Sequence, residues 1–409
     1  LTQGKKWYRL KQIADLQVAQ FFIPKTADNK EKLTTHSQYV SYLKTNAQII
    51  DRGASMAIAQ EKHFFHWFLE FPQVFQKGGF DCILGNPPFR GGLYITKDNG
   101  ANFTHFIKYN TSKAGSTTDL VAYFFRRIFD ILKESGFMSL IGTNSISEGD
   151  TRETSLEEII SKKGKINHAN KSVKWPGEAT LHVSLISINK ARTNSNIILN
   201  NQQVNHINSW LSENNNNIKP FNLIQIQKAY LGTTVYGKGF FLSNEEKNIL
   251  ISADNRSSKN IKPFLNGDDI LNNPRSEFSR YVLYFQGQDI NKIRNDFQYL
   301  YNFAFSRIYE ERQKSTSKGR REKWWLYTSP ADEIYKNIND LNFAIVTCFT
   351  SKYPSFTILD KNQIFSNAVV VICSDKYSRF AELQSNLHAC WIQEYGSTLE
   401  TRQRYAVSD

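Results

Sequence analysis

The feature that most constrains this chain is a short apolar run that ends abruptly at two prolines. Residues 80–84 are mostly apolar and Gly85 stops them, which predicts a buried strand that runs into a tight turn. The next residues are Asn86-Pro87-Pro88-Phe89. Because both prolines fix φ and lack a backbone donor, neither a helix nor a central strand continues through them. The sequence therefore predicts a rigid corner that presents oxygen acceptors and one aromatic ring.

Such a corner suits a flat heterocycle that carries an amino group. If the Asn86 side-chain oxygen and the Pro87 carbonyl accept the two amine hydrogens, the nitrogen lone pair can point at an electrophilic methyl group. Phe89 would stack on the base and replace stacking lost on leaving a duplex, a cost of about a few kcal/mol. We therefore predict that residues 86–89 are catalytic and transfer a methyl group directly, mainly by positioning. A Pro-rich corner with a purely structural role is the alternative.

The motif at residues 86–89 resembles the catalytic motif of amino-methyltransferases that use S-adenosylmethionine. Residues 64–67, 69–75 and 78–81 resemble the large restriction–modification enzymes of type IIG and type IIL and related phage-defence methyltransferases. Residues 231–232, 237–240 and 261–270 resemble the target recognition half of the same enzymes. The resemblance runs, with gaps, over most of the chain. It implies an adenine-specific DNA methyltransferase with a fused target recognition domain.

The resemblance also implies a fold, a cofactor and a partner. The expected fold is an α/β, incomplete Rossmann-like methyltransferase sheet followed by an α+β target recognition domain. The expected cofactor of the full-length parent is S-adenosylmethionine, and the expected partner is double-stranded DNA. Asn144 would lie beside the base pocket, and Trp175 would flank the extruded base opposite Phe89. Lys174 would contact phosphate; a hairpin-core tryptophan and a solvated loop lysine are the alternatives for these last two residues.

Most of the cofactor site is missing from the sequence. A methyltransferase of this type should begin with a strand that ends in a Gly-rich turn, followed by an acidic residue at the end of the next strand. Nothing before Phe80 has that form, so Asn86 is the one predicted cofactor contact. Gly237-Lys238-Gly239 lies far downstream and is interpreted as a hairpin turn or a DNA-backbone contact through Lys238. We expect a fragment, inactive alone, whose parent carries the upstream methyltransferase half and a possible nuclease domain.

The composition of the chain predicts its domain organisation. Residues 1–222 are expected to form the C-terminal part of the catalytic domain, with a helical insertion at residues 1–60. An Asn-rich stretch, residues 191–217, predicts a linker before a target recognition domain at residues 223–409, truncated at its C-terminus. Residues 90–116 are rich in Gly, Asn and Thr, which predicts a mobile surface segment. The apolar pattern from Asp119 to Leu132 predicts a helix, with Gly136 as its C-cap.

The charge of the chain favours a nucleic-acid partner. It carries 51 basic and 38 acidic residues, a net charge of +13, and 13% of its residues are aromatic. A basic run at residues 307–323 leads directly into two tryptophans. Within it and beside it we predict DNA contacts by Arg320, Arg321, Lys323 and Trp324, with salt-sensitive binding as the consequence. An ordinary solvated loop is the alternative for this run.

Several other functions are disfavoured by the sequence. The four cysteines lack paired spacing, so no metal site or disulfide framework is predicted, and no apolar run is long enough to cross a bilayer. We expect a cytoplasmic protein that does not cleave DNA. Two rival functions stay open: a glutamine-amide methyltransferase acting on protein, and a non-catalytic DNA-recognition module.

Overall fold

The computed structural model describes residues 4–45, 52–178, 181–191, 196–213, 228–399 and 402–407. Its backbone contacts divide the chain into two compact units, Leu1–Ile218 and Lys219–Asp409. The domain boundary predicted after residue 222 falls within residues 214–227 and therefore lies outside the described residues. The truncation predicted at the C-terminus stays a prediction.

A six-stranded mixed sheet forms the centre of the first unit, with the strand order β1-β2-β4-β3-β5-β6. The strands are β1 Phe80–Gly85, β2 Leu132–Thr143, β3 Lys165–Lys174, β4 His182–Asn189, β5 Ile197–Leu199 and β6 Gln202–Val204. β1 is parallel to β2, whereas β4 is antiparallel to both of its neighbours. The α/β sheet predicted for this part of the chain is confirmed.

β1 is an edge strand, and the prediction that it is buried is wrong. β2 pairs with one of its edges, and no strand among the described residues pairs with the other. Leu84 is consequently 69% exposed, and Cys82 is exposed as well. An apolar strand with an open edge is a template for pairing with a further strand.

Helices cover the first unit before and after β1. They are α1 Lys5–Ala19, α2 His36–Thr45, α3 Arg52–Glu61, α4 Trp67–Glu70, α5 Pro72–Gln76, α6 Gly92–Asn99, α7 Ala101–Tyr109, α8 Leu120–Ile131, α9 Gly149–Arg152 and α10 Glu158–Ser161. A single π-helical turn, Glu153–Glu157, joins the last two. The helices expected in the first sixty residues are therefore present.

Residues 90–116 differ from the mobile segment that their composition predicted, because they form α6 and α7. Gly100, at φ 84°, separates the two helices. Apolar anchors hold them in place: Ile95 is buried, and the Phe106 ring lies 5.2 Å from Phe21 and 5.6 Å from Phe22. A few well-spaced aromatic contacts thus order a stretch that is otherwise rich in Gly, Asn and Thr.

The long apolar helix predicted after residue 119 is confirmed as α8, although its end differs from the prediction. β2 begins directly at Leu132, and Gly136 lies inside that strand rather than at a helix C-cap. A Cβ on Gly136 would approach the Phe80 carbonyl oxygen to 2.6 Å, so this position requires glycine. The close approach coincides with a register shift in the pairing of β1 and β2.

The second unit is α+β, as predicted, and is built on three small sheets. Their strand orders are β14-β9-β10-β8, β13-β11-β15-β7 and β12-β17-β16. The strands are β7 Ala229–Leu231, β8 Phe241–Leu242, β9 Ile261–Leu265, β10 Arg280–Leu283, β11 Ala344–Cys348, β12 Thr350–Ser351, β13 Phe356–Leu359, β14 Ile364–Phe365, β15 Val369–Ile372, β16 Ser397–Leu399 and β17 Arg402–Arg404.

Eight described helices pack against these sheets. They are α11 Asn244–Ala253, α12 Gly267–Asn272, α13 Ile290–Asp296, α14 Gln298–Gln313, α15 Lys318–Glu322, α16 Asp332–Ile338, α17 Tyr377–Leu383 and α18 Asn386–Tyr395. Across the described ranges, none of the helices combines the length and the apolar character that crossing a bilayer requires.

Candidate functional site

The loops that carry the predicted catalytic and base-pocket residues emerge at one edge of the first unit's sheet. Gly85 ends β1 beside Leu140 of β2, and Thr143, at the end of β2, pairs with Val183 near the start of β4. Val183 in turn pairs with Val173 at the end of β3. Since neighbouring strands lie about 4.8 Å apart, the three steps from β1 to β3 amount to about 14 Å. The corner after β1 therefore shares this edge with the loops after β2 and β3.

The corner itself combines an accessible amide with a fixed backbone. Asn86 is exposed, and its side chain makes no hydrogen bond within the described residues. Pro87 is buried, and the half-buried Phe89 ring packs against the core of the first unit. The loop is therefore attached to the core at two points while the Asn86 amide stays available to a ligand.

A carboxylate fixes the exit of this loop. Oδ1 of Asp119 accepts hydrogen bonds from the Arg90 backbone N–H at 3.1 Å and from the Val121 N–H at 3.0 Å. The Leu120 N–H donates to the Arg90 carbonyl oxygen at 2.9 Å. Asp119 thus caps α8 and holds the residue that follows Phe89 with the same oxygen. It is 7% exposed, so water cannot easily replace these bonds.

A second acidic residue holds the segment that precedes Asp119. The Asp150 carboxylate accepts from the Thr117 backbone N–H at 2.9 Å and from the Thr117 hydroxyl at 2.8 Å. These bonds, the backbone one first, lower the pKa of Asp150 below its ordinary value. Gly115 passes so close that a Cβ there would meet the Asp150 carboxylate carbon at 2.3 Å.

The lowered pKa of Asp150 predicts a specific acid sensitivity of the first unit. Because the folded pKa lies below the unfolded one, the stabilisation is complete above about pH 4 and is lost as the pH falls through the folded pKa. We expect the unfolding temperature of Asp150→Asn to lie below that of the wild type at pH 6 and to converge with it as the pH falls through the folded pKa of Asp150. A constant difference across that range would contradict this role.

The structure places Asn144 and Trp175 at this edge of the sheet in different settings. Asn144 is 7% exposed; its Nδ2 donates to the Ser172 hydroxyl at 3.0 Å, and its Oδ1 accepts from the Ser184 hydroxyl at 3.3 Å. Both ends of its amide are therefore engaged within the protein, which favours a structural role in joining β2, β3 and β4. Trp175 is half-buried, and its indole lies over Gly177 of the same loop. Both base-pocket assignments stay predictions.

Lys174 and Lys238, both predicted DNA contacts, are exposed. Lys174 is the last residue of β3, next to Trp175. Lys238 begins a single 3-10 turn, Lys238–Phe240, and not the hairpin turn expected there. Packing explains Gly239, because a Cβ there would approach the Arg307 carbonyl oxygen of α14 to 2.4 Å, whereas Gly237 has a φ of 109° that favours glycine.

The basic run beside the tryptophans divides into surface and core residues. Lys323 is exposed, whereas Arg320 and Arg321 are half-buried, and Arg321 donates to the Ser315 carbonyl oxygen at 2.7 Å. Trp324 is only 6% exposed and contacts the rings of Tyr301, Phe305, Tyr309 and Trp325. A ring buried to this extent cannot stack on a base without opening the core. The structure therefore assigns Trp324 to the core and corrects the prediction of a DNA contact.

The residues present do not form a complete site for S-adenosylmethionine. Asn86, an exposed amide, is the predicted contact at the reacting end of such a molecule. No strand precedes β1 among the described residues, so they contain no Gly-rich turn or strand-end carboxylate for the methionine and ribose groups. The same ranges contain no cluster of three or more His, Cys, Asp or Glu side chains that could hold a metal ion.

The sequence did not identify three residues as parts of a candidate site: Asp119, Arg312 and Tyr236. Asp119 carried a usable signal, because an Asp directly before an apolar helix is a typical N-cap that accepts backbone hydrogen bonds. Arg312 was counted as one surface charge in a basic run, yet it is 1% exposed. Tyr236 adopts a left-handed backbone conformation at φ 54°, for which its residue type gives no warning.

Comparisons with known proteins agree with this two-part organisation. Residues 8–174 match the family described as Eco57I restriction-modification methylase, and residues 214–408 match the target recognition domain of MmeI. DNA methyltransferase A of Bacillus subtilis (strain 168) is 22% identical over 344 residues, which are 80% of this chain and 38% of that protein.

A solved structure covers nearly the whole chain. The type IIL restriction-modification enzyme MmeI, solved in complex with DNA, superposes with a TM-score of 0.68 and 21% identity over 98% of this chain and 59% of that one. The chain thus spans between about two fifths and three fifths of the length of these relatives. The chain thus contains an Eco57I-type restriction-modification methylase domain followed by an MmeI-type target recognition domain.

Proposed function

We propose that the chain supplies the base-holding loop and the DNA-recognition part of an adenine-specific DNA methyltransferase of a restriction–modification or phage-defence system. The observation that carries the proposal is Asn86, an exposed amide without a hydrogen-bond partner in the described residues, on a corner fixed by Pro87 and Asp119. Its substrate would be double-stranded DNA and its methyl donor S-adenosylmethionine. Because the substrate is genomic DNA, we also propose a cytoplasmic location.

The residues of the corner would act by holding the target amine. The Asn86 Oδ1 and the Pro87 carbonyl oxygen accept the two amine hydrogens, which turns the nitrogen lone pair toward the methyl donor. Phe89 offers its ring to one face of the extruded base, with Trp175 as the candidate for the other face. The Pro87-Pro88 backbone holds the acceptors in place before the base arrives, so little reorganisation is needed during the reaction.

The methyl donor would be held by residues outside the described part of this chain. The open edge of β1 supports this proposal, since an apolar strand with unpaired backbone groups accepts a further strand. An upstream methyltransferase half pairing there would bury Leu84 and Cys82 and bring a cofactor site beside the corner. Any nuclease activity would also reside outside this chain.

Expression in a host that lacks DNA methylation tests the proposal. We expect N6-methyladenine at one sequence motif, read by single-molecule sequencing, when the chain is produced together with its upstream region. The chain alone should bind duplex DNA but neither methylate it nor bind S-adenosylmethionine in calorimetry. Methyl label in protein rather than DNA would favour a glutamine-amide methyltransferase. DNA binding without methylation in both preparations would favour a non-catalytic recognition module.

Removing the ring of the corner should slow the reaction. Base–aromatic stacking contributes about 1–3 kcal/mol per base, so Phe89→Ala should lower turnover by about tenfold in the preparation that contains the upstream region. Phe89→Tyr keeps the ring and should stay close to the wild type. Because Phe89 also packs on the core, thermal unfolding is recorded for both variants. Wild-type turnover by Phe89→Ala would contradict a stacking role.

A further inference from the structure

Tyr236 is an exposed aromatic residue in an unfavourable backbone conformation. It is 47% exposed and has a φ of 54°, and Gly237 follows it at φ 109°. A bulky residue in this region persists only where its surroundings fix it, and such positions cluster at functional sites. Its neighbours should therefore show what holds it there.

Two guanidinium groups lie against the Tyr236 ring. The Arg320 guanidinium carbon is 4.1 Å from the ring centroid, and that of Arg312 is 5.5 Å away. Arg320 is half-buried at the surface, on the short helix α15, whereas Arg312 is 1% exposed. The phenol ring thus lies next to one accessible and one inaccessible cation.

Arg312 fixes both chain segments that meet at this ring. Its Nη2 donates to the Val235 carbonyl oxygen at 3.0 Å and to the Leu326 carbonyl oxygen at 2.9 Å, and its Nη1 donates to the Thr328 hydroxyl at 3.3 Å. Val235 directly precedes Tyr236, and Leu326 follows the helix that carries Arg320. One buried side chain therefore sets the positions of both.

Within the described residues, the buried guanidinium of Arg312 forms no ion pair with a carboxylate. Its three hydrogen-bond acceptors are uncharged, and its Nε has no hydrogen-bond partner in the described residues. Burial, and then the charge of Arg320, lower the pKa of Arg312. The nearby Glu311 carboxylate, which lies beside Gly237, raises the pKa of Arg312 and offsets part of this effect. An anion at Arg320 would relieve the repulsion between the two guanidinium groups.

We propose that Arg320, stacked on Tyr236 and backed by the buried Arg312, binds a phosphate of the DNA backbone, with Tyr236 as its positioning residue. The inference rests on the proposed DNA-binding function and names one contact that carries it. A planar guanidinium held against a ring loses less conformational freedom on binding phosphate than a flexible surface cation does. Tyr236 therefore raises affinity without touching DNA.

The salt dependence of DNA binding tests the contact without knowledge of the target sequence. Affinity of the full chain for a duplex of arbitrary sequence is measured by fluorescence anisotropy over a range of salt concentrations. The slope of log affinity against log salt is negative, and loss of one phosphate contact should make it less steep by about 0.9. We expect this change in Arg320→Ala. Affinity at low salt should fall about tenfold, as for one charge-assisted hydrogen bond. Arg275→Ala removes an exposed cation elsewhere in the second unit and should keep the wild-type slope.

A double-mutant cycle tests the role of Tyr236. Tyr236→Ala should weaken binding several-fold in the wild type and leave Arg320→Ala unchanged, whereas Tyr236→Phe, which keeps the ring, should bind normally. Additive losses would overturn the positioning role. An unchanged slope in Arg320→Ala, or an equal drop in Arg275→Ala, would overturn the contact. Absence of salt-dependent binding by the wild type would overturn the proposed DNA-binding function as well.

Discussion

Asn86→Ala is expected to lower methyl transfer by about 10²- to 10³-fold while DNA affinity stays within about twofold of the wild type. The amide is the exposed acceptor of the corner, and it would orient the amine only as the methyl group moves. Its removal should therefore affect turnover rather than binding. Turnover is measured with labelled methyl donor in the preparation that contains the upstream region, and DNA affinity by gel shift.

Two further variants separate the acceptor from the rest of the side chain. Asn86→Asp keeps an oxygen at the same position and should retain more activity than Asn86→Ala, because the proposed role needs an acceptor. Asn102→Ala removes an exposed amide elsewhere in the same unit and should not change turnover. Equal activities of Asn86→Ala and the wild type would remove Asn86 from the mechanism.

The local elements around the site could be predicted from the sequence because their signals are local. An apolar run stopped by Gly85 and two prolines gave the β1 corner, and the periodic apolar pattern after Asp119 gave α8. In the second unit, the apolar runs at residues 281–285, 343–348 and 368–372 coincide with β10, β11 and β15. In each case the pattern needs no information about distant residues.

The features that could not be predicted depend on contacts between distant parts of the chain. The outer edge of β1 has no partner strand among the described residues. The residues of β1 carry no signal for this, so the burial of the strand was overestimated. Trp324 resembled a DNA contact because basic residues precede it, although the rings around it come mainly from α14. Gly239 was interpreted as part of a hairpin turn or a DNA-backbone contact, but the close approach of the Arg307 carbonyl oxygen accounts for this glycine.

The same limit explains why the contact between Asp119 and the corner could be identified only in the structure. As an N-cap it needs nothing beyond its own helix, and that role was readable from the sequence. Its bond to the Arg90 N–H joins residues 29 positions apart and attaches the corner at residues 86–89 to the start of α8. The Oδ1 atom of Asp119 thus both caps α8 and fixes the exit of the candidate loop.

Asp119→Ala should therefore reduce both stability and turnover. Loss of the cap costs about 0.5–2 kcal/mol, and the N–H groups of Arg90 and Val121 would be left without their acceptor. A displacement of the corner by about 1 Å would lower turnover by on the order of 10²-fold. Chemical denaturation of the chain measures the first effect, and single-turnover methylation with the upstream region measures the second.

Asp119→Asn is the matched variant for this prediction, because it keeps the shape of the side chain and an oxygen acceptor. It should recover most of the turnover, since both bonds need an acceptor rather than a charge. Thr118→Val alters the neighbouring buried hydroxyl, which contacts Thr154 and not the corner, and should affect stability alone. If Asp119→Ala lost stability but kept its turnover, the carboxylate would serve α8 only, and the position of Asn86 would be set by Pro87 and Pro88.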